Sequence, residues 1–231
     1  MNIKNMLCCA VVLSTLVFSN VSALEISLGV KGGVNLTNFY GAEEEYGLDP
    51  YENQKVKPGI AAGAALQLKL ANMFAIEPEV LFSQKGQKAS SNGSSEILYI
   101  NYLELPVLAQ FLIPVPVVTP IIYMGPAFDF KVGEIDGKTE YSSGLSVTMT
   151  DNERKALDKN FSGFDLGLAL GGGAEIKAGP GKVVFDVRYT LGLVKVYKLT
   201  DYLKDIGITE SDLPKDKNGA LMFAAGYLFA F

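Results

Sequence analysis

Histidine and tryptophan are absent from the 231 residues, and the only two cysteines, Cys8 and Cys9, are neighbours near the N-terminus. Without histidine the chain lacks the commonest general base and the commonest metal ligand. A Ser-His nucleophile arrangement is excluded. Two adjacent cysteines supply neither a Cys-rich zinc site nor a disulfide framework. Charge is sparse, at 19% of residues against 48% hydrophobic, and the mean hydropathy is +0.22. A disordered polar chain has the opposite balance. The formal net charge of −5 argues against nucleic acid as a partner.

What is present begins with a targeting signal. Lys4 gives a positive start, Met6 to Phe18 an apolar run, and Val21-Ser22-Ala23 small residues at −3 and −1. This pattern predicts a Sec-type signal peptide over 1–23, cut after Ala23. The apolar run is short for a membrane anchor. Cleavage removes Lys4 and both cysteines. Residues 24–231 are then expected to form one domain.

No good helical span follows residue 24. The longest uncharged stretch, Leu105 to Phe128, is interrupted by Pro106, Pro114, Pro116, Pro120 and Pro126. Each interior proline costs a helix about 3 kcal/mol, so strand, turn and strand is the better reading. Elsewhere the period is two. Phe74, Ile76, Pro78, Val80 and Phe82 alternate with Ala75, Glu77 and Glu79. Phe185, Val187, Tyr189, Leu191 and Leu193 alternate with Asp186, Arg188, Thr190 and Gly192. Such alternation predicts strands. Eight segments carry it, near 25–39, 58–70, 73–86, 97–112, 120–132, 161–177, 182–195 and 219–231. Their connections alternate short and long, the long ones being 41–57, 87–96, 133–160 and 196–218. This is the pattern of an all-β, eight-stranded antiparallel up-and-down transmembrane β-barrel, with short periplasmic turns and longer extracellular loops.

Orientation decides between a soluble and a membrane barrel. Phe, Leu, Ile and Val dominate one face, while the other mixes glycine with charges of both signs. Small and ionic residues suit the narrow interior of eight strands. The predicted lumen network is Lys31, Lys69, Glu77, Glu79, Lys85, Glu104, Asp129, Asp165, Asp186 and Arg188. The apolar face then meets lipid. An eight-residue step covers about 20 Å, close to the apolar band of about 25 Å. The inverted arrangement, a secreted sandwich or lipocalin-like barrel, is the alternative.

Several motifs extend this reading. Gly29-Val30-Lys31-Gly32-Gly33-Val34-Asn35, Ile76 to Gly86 (IEPEVLFSQKG), Tyr102 to Val107 (YLELPV) and Gly125-Pro126 together resemble porin-family, PorT-like outer-membrane β-barrel domains. The resemblance covers essentially all of 24–231 and implies an exported outer-membrane protein of the Gram-negative type. The terminal Gly226-Tyr227-Leu228-Phe229-Ala230-Phe231 looks like the signal read by the barrel-assembly machinery, matched at Gly226, Phe229 and Phe231. Ala224 departs from the polar residue usual there. The family implies location and fold better than activity.

The remaining motifs carry bland readings. Leu168 to Ala174 (LALGGGA) lacks the lysine and helix of a phosphate loop, so close packing against a bulky lumen residue is expected. Pro78 and Pro106 fall inside strands, where bulges are expected. Glu77 and Glu79 share a strand face, and with basic residues opposite them they read as an ionic network rather than an acid–base pair. No cofactor or metal site is expected. The acidic loop Glu43, Glu44, Glu45, Asp49 and Glu52 lacks EF-hand spacing. Thr150-Asp151-Asn152-Glu153 is a capping box, and Tyr202, Leu203 and Ile206 fit one face of a short helix. Expected partners are outer-membrane lipid, the assembly machinery, and an unknown protein at the extracellular loops. A structural or surface-interaction role without enzymatic activity is the leading expectation. A narrow channel and a secretion or envelope-assembly accessory stand as alternatives.

Overall fold

The computed structural model describes residues 24–41, 54–91, 93–199, 207, 209 and 215–231. The predicted signal peptide, the acidic loop residues Glu43 to Glu52, and Tyr202, Leu203 and Ile206 lie outside the described residues. The elements are β1 (Glu25–Tyr40), β2 (Gln54–Lys55), β3 (Lys57–Ala71), β4 (Phe74–Ser91), β5 (Ser94–Leu112), β6 (Val118–Lys131), β7 (Asp136–Tyr141), β8 (Ser146–Thr148), α1 (Asp151–Asp158), β9 (Phe164–Ala178), β10 (Gly181–Gly192) and β11 (Lys217–Ala230).

Eight of these strands close a ring. The order β4-β3-β1-β11-β10-β9-β6-β5 is completed by pairing β4 with β5, and every pairing is antiparallel. One row of partners runs Ser83, Ala61, Gly33, Ala224, Asp186, Gly173, Ile121, Leu112 and then Met73, whose carbonyl accepts from the Leu112 amide. The row returns to the chain ten residues away (83 − 73 = 10). Over eight strands that stagger tilts the strands by about 41° from the axis. Closure leaves the eight-stranded wall without an unpaired edge, as lipid requires.

The side chains take the predicted orientation. Phe185, Val187 and Tyr189 are exposed on the outer wall, as are Phe74, Val80 and Phe82. Glu77, Glu79, Lys85 and Arg188 are buried inside. Aromatic pairs mark the belt edges. Phe74 meets Phe111 and Tyr227 meets Phe229 near the short-turn rim, while Phe130 meets Phe164 near the other.

Three expectations are corrected. Residues 87–96 are not a loop: β4 and β5 remain paired out to Ser91 and Ser94. The strand expected from 161 starts at Phe164, Phe161 making only an isolated bridge to Tyr197. The prolines cause no bulges. Pro78 pairs with Val107, Pro106 with Ala127 and Pro126 with Leu168, while the ladder toward the preceding strand skips each one. The register runs on unshifted because an antiparallel residue directs its amide toward one neighbour only, so proline sacrifices one side. The irregularity in the β3–β4 ladder falls between Lys69 and Ala71, beside the turn.

Candidate functional site

Alternation along the strands sends every second residue inward, and the lumen is built of those residues in tiers. In the middle tier, Lys31 on β1 reaches Glu77 at 3.2 Å and Glu79 at 2.7 Å on β4, and also pairs with Asp186 on β10. Arg188 grips Glu79 with both terminal nitrogens, at 2.8 and 2.9 Å. The Tyr123 hydroxyl donates to Asp186 at 3.0 Å, and the Arg188 guanidinium lies over the Tyr123 ring. Two glycines make this tier possible. A Cβ on Gly226 would stand 2.7 Å from Lys31 Cγ, and one on Gly171 would stand 2.5 Å from the Tyr123 hydroxyl. Gly171, the first of the triple glycine, is therefore a seat for Tyr123, the close packing against a bulky lumen residue expected for the motif.

The tier toward the short-turn rim is Gln67, Gln110, Glu175 and Lys182. Gln67 donates to Gln110 at 2.7 Å and to Glu175 at 2.5 Å, and Lys182 bonds both Gln67 and Glu175. The upper tier is acidic. Glu104, Asp129 and Asp165 are direct cross-strand neighbours on β5, β6 and β9. Lys85 reaches Asp129 at 2.5 Å and Glu104 at 3.1 Å, while Asp165 accepts from Asn218 at 2.7 Å. Burial of these ions is tolerable because almost every one is paired; an isolated buried charge costs several kcal/mol. Among the described residues, no group of three or more acidic or thiol ligands is placed to hold a metal ion.

Nine of the ten predicted network residues face the lumen. Lys69 does not join them. It stands at the rim, partly exposed, 3.4 Å from Glu25. Its parity is inward, but it sits too close to the turn for the lumen to enclose it. Lys182 is a member that the sequence reading missed, although its parity with Arg188 identifies it; its partner Glu175 lies on the polar face that the alternation places inward with Asp165. Of the proposed assembly signal, Gly226 faces inward beside Lys31, and Phe229 and Phe231 are exposed.

Above the ionic tiers lies an apolar cap of Phe39, Ile100, Tyr102, Ile135, Phe161 and Val196, with Leu98, Leu157 and Tyr197 against it. Burial pushes the Tyr197 phenol up to about 12. Leu157 comes from α1, whose capping box is present as expected: Thr150 accepts from the Glu153 amide, and the Glu153 carboxylate accepts from the Thr150 amide. Asp158 at the other end accepts from Lys131 and from the Ile135 amide, fastening α1 to the rim.

Part of the wall continues past the cap. The β5–β6 ladder ends at Tyr102 and Lys131, whereas β5 continues to Ser94, pairing with β4 on one side and β7 on the other. With β2 and β8 at its margins, this five-stranded sheet rises about 20 Å beyond the last β5–β6 pair. Its outer face is ionic, with Glu140 2.7 Å from Lys138 and 3.8 Å from Lys88. Gln84 and Asn101 bond each other where the apolar belt stops.

This geometry of greasy exterior, ionic interior and closed ring agrees with a family comparison. Residues 18–198 match the model of the outer membrane protein beta-barrel domain. The chain belongs to that family. As an outer membrane β-barrel domain it has similar solved structures. One is Ail, the attachment invasion locus protein of Yersinia pestis, solved in complex with the heparin analogue sucrose octasulfate. It is 17% identical, with 89% of this chain and 99% of that one covered, at a TM-score of 0.37. Neisserial surface protein A is 12% identical, with 88% and 97% covered, at a TM-score of 0.41. No curated protein matches the sequence.

Proposed function

We propose that this outer-membrane barrel is a surface-interaction protein without enzymatic activity, and that its working part is the sheet raised above the membrane. The observation that carries the reading is the contrast between the two regions. The lumen is filled and capped, which suits neither passage nor substrate binding. The sheet spends five strands where no lipid needs covering. Among the described residues, β4, β5, β7, β8 and α1 are the elements a partner at the outer surface would meet.

Transport is the rival reading, and the filled lumen argues against it: eight strands leave room for side chains and little else. A role as a secretion or envelope accessory would use the same raised sheet or the opposite rim. The deciding experiment shortens the β4–β5 hairpin by replacing 87–98 with a tight turn. Heat-modifiable gel migration verifies that the barrel still folds. Attachment of expressing cells to surfaces and to one another is then expected to fall; unchanged attachment would overturn the proposal. Steady conductance by the intact protein in planar bilayers would favour transport instead.

A further inference from the structure

Three short turns close the barrel on the side that faces the periplasm in this class. Two are brief, Asn72-Met73 and Gly179-Pro180. The third, residues 113–117 between β5 and β6, reads Ile-Pro-Val-Pro-Val and runs into Val118. Ile113, Val115, Val117 and Val118 are all exposed, Val117 at 74%. No charged residue occurs between Glu104 and Asp129. An apolar cluster of this kind facing water would be an aggregation liability.

Its surroundings say what covers it. The patch is continuous with the lipid-facing wall: Phe111 and Ile122 pair just inside the turn, and Phe74 packs edge-on against Phe111 at 5.4 Å. Its backbone also suits a water-poor setting. Pro114 and Pro116 have no amide hydrogen, and the Ile113 amide donates to the Pro120 carbonyl at 2.9 Å. Unbonded amides are what keep irregular backbone out of lipid, and this turn has shed two of them.

We infer that the 113–118 turn is a lipid anchor, immersed at the boundary between headgroups and acyl chains of the periplasmic leaflet. It extends the apolar belt past the strand ends on one side and fixes the depth and lean of the barrel. With no charge of its own, it takes a phospholipid monolayer through apolar contact, without choice of headgroup. This inference is independent of the surface-interaction proposal.

The test uses single cysteines, since both native ones lie in the predicted signal peptide. V117C and V115C are labelled with an environment-sensitive fluorophore and placed in phosphatidylethanolamine–phosphatidylglycerol nanodiscs, which leave both rims open to solvent. F185C on the outer wall and K155C on α1 are the lipid and water references. Heat-modifiable migration confirms folding of each. The expected result is blue-shifted emission at 115 and 117, loss of most of it on adding lipids nitroxide-labelled near the headgroup, and slow reaction of the unlabelled thiols with a water-soluble maleimide. If both positions behave like K155C while F185C keeps its blue-shifted emission, the barrel stands and the anchor is refuted; the turn is then free for a periplasmic protein.

Discussion

Lys31 shows how much one side chain holds together here. It faces Glu77, Glu79 and Asp186, with Arg188 as the second cation of the tier, on Glu79. Lys31→Met leaves carboxylates buried without their cation, and removing one partner of a buried pair costs about 3–5 kcal/mol. The expected outcome is a large fall in the urea midpoint of the refolded barrel, with Lys31→Arg milder. Gly171→Ala is a second case. Its methyl would collide with the Tyr123 hydroxyl and the Val187 carbonyl, both at 2.5 Å. A loss of about 1–3 kcal/mol is expected. Adding Tyr123→Phe should restore part of it, because the carbonyl clash remains; full restoration would show that the tyrosine alone dictates the glycine.

At the scale of elements, α1 depends on its first turn. Thr150→Ala removes an N-cap worth about 1 kcal/mol, expected as faster amide exchange in 151–158 with the strands unaffected. The Glu153 carboxyl is held below its ordinary range by hydrogen bonds from Thr150. Its contribution is therefore complete above the ordinary glutamate value and lost as pH falls through the lowered one. Amide protection factors in α1, referred to the intrinsic exchange rate at each pH, should accordingly fall on acidification below about pH 4.5, and Glu153→Gln should blunt that fall. The capping box was legible in the sequence because it is a local, spaced pattern. The β4–β5 hairpin was not, and the reason is physical. Alternation is written where one face meets lipid, and past Gln84 and Asn101 there is no lipid, so Gln87 to Ser91 and Ser94 to Ser95 lose the signal while remaining strand. Lys69 failed differently: period two states which face a residue takes and nothing about its height.

For the whole molecule, the ring, its orientation and nine of ten lumen ions followed from counting by twos. The cap did not, since Phe39, Ile135, Phe161 and Val196 come from four separate segments and meet only through closure. Cap and tiers together predict silence in planar bilayers at neutral pH, and heat-modifiable migration in detergent gels. A protein that dissolved freely without detergent would contradict the barrel itself.

The prolines give the cylinder a crease. Pro78, Pro106 and Pro126 occupy consecutive strands and nearly the same height, each leaving the bridge to the strand before it unmade. Were the wall stretched, or caught half-built, it would yield first along β3 to β6 rather than at the β1–β11 junction, where the ladder is continuous from Ser27 to Tyr40. Deuterium should enter the backbone along that crease before it enters the seam where the two ends of the chain meet.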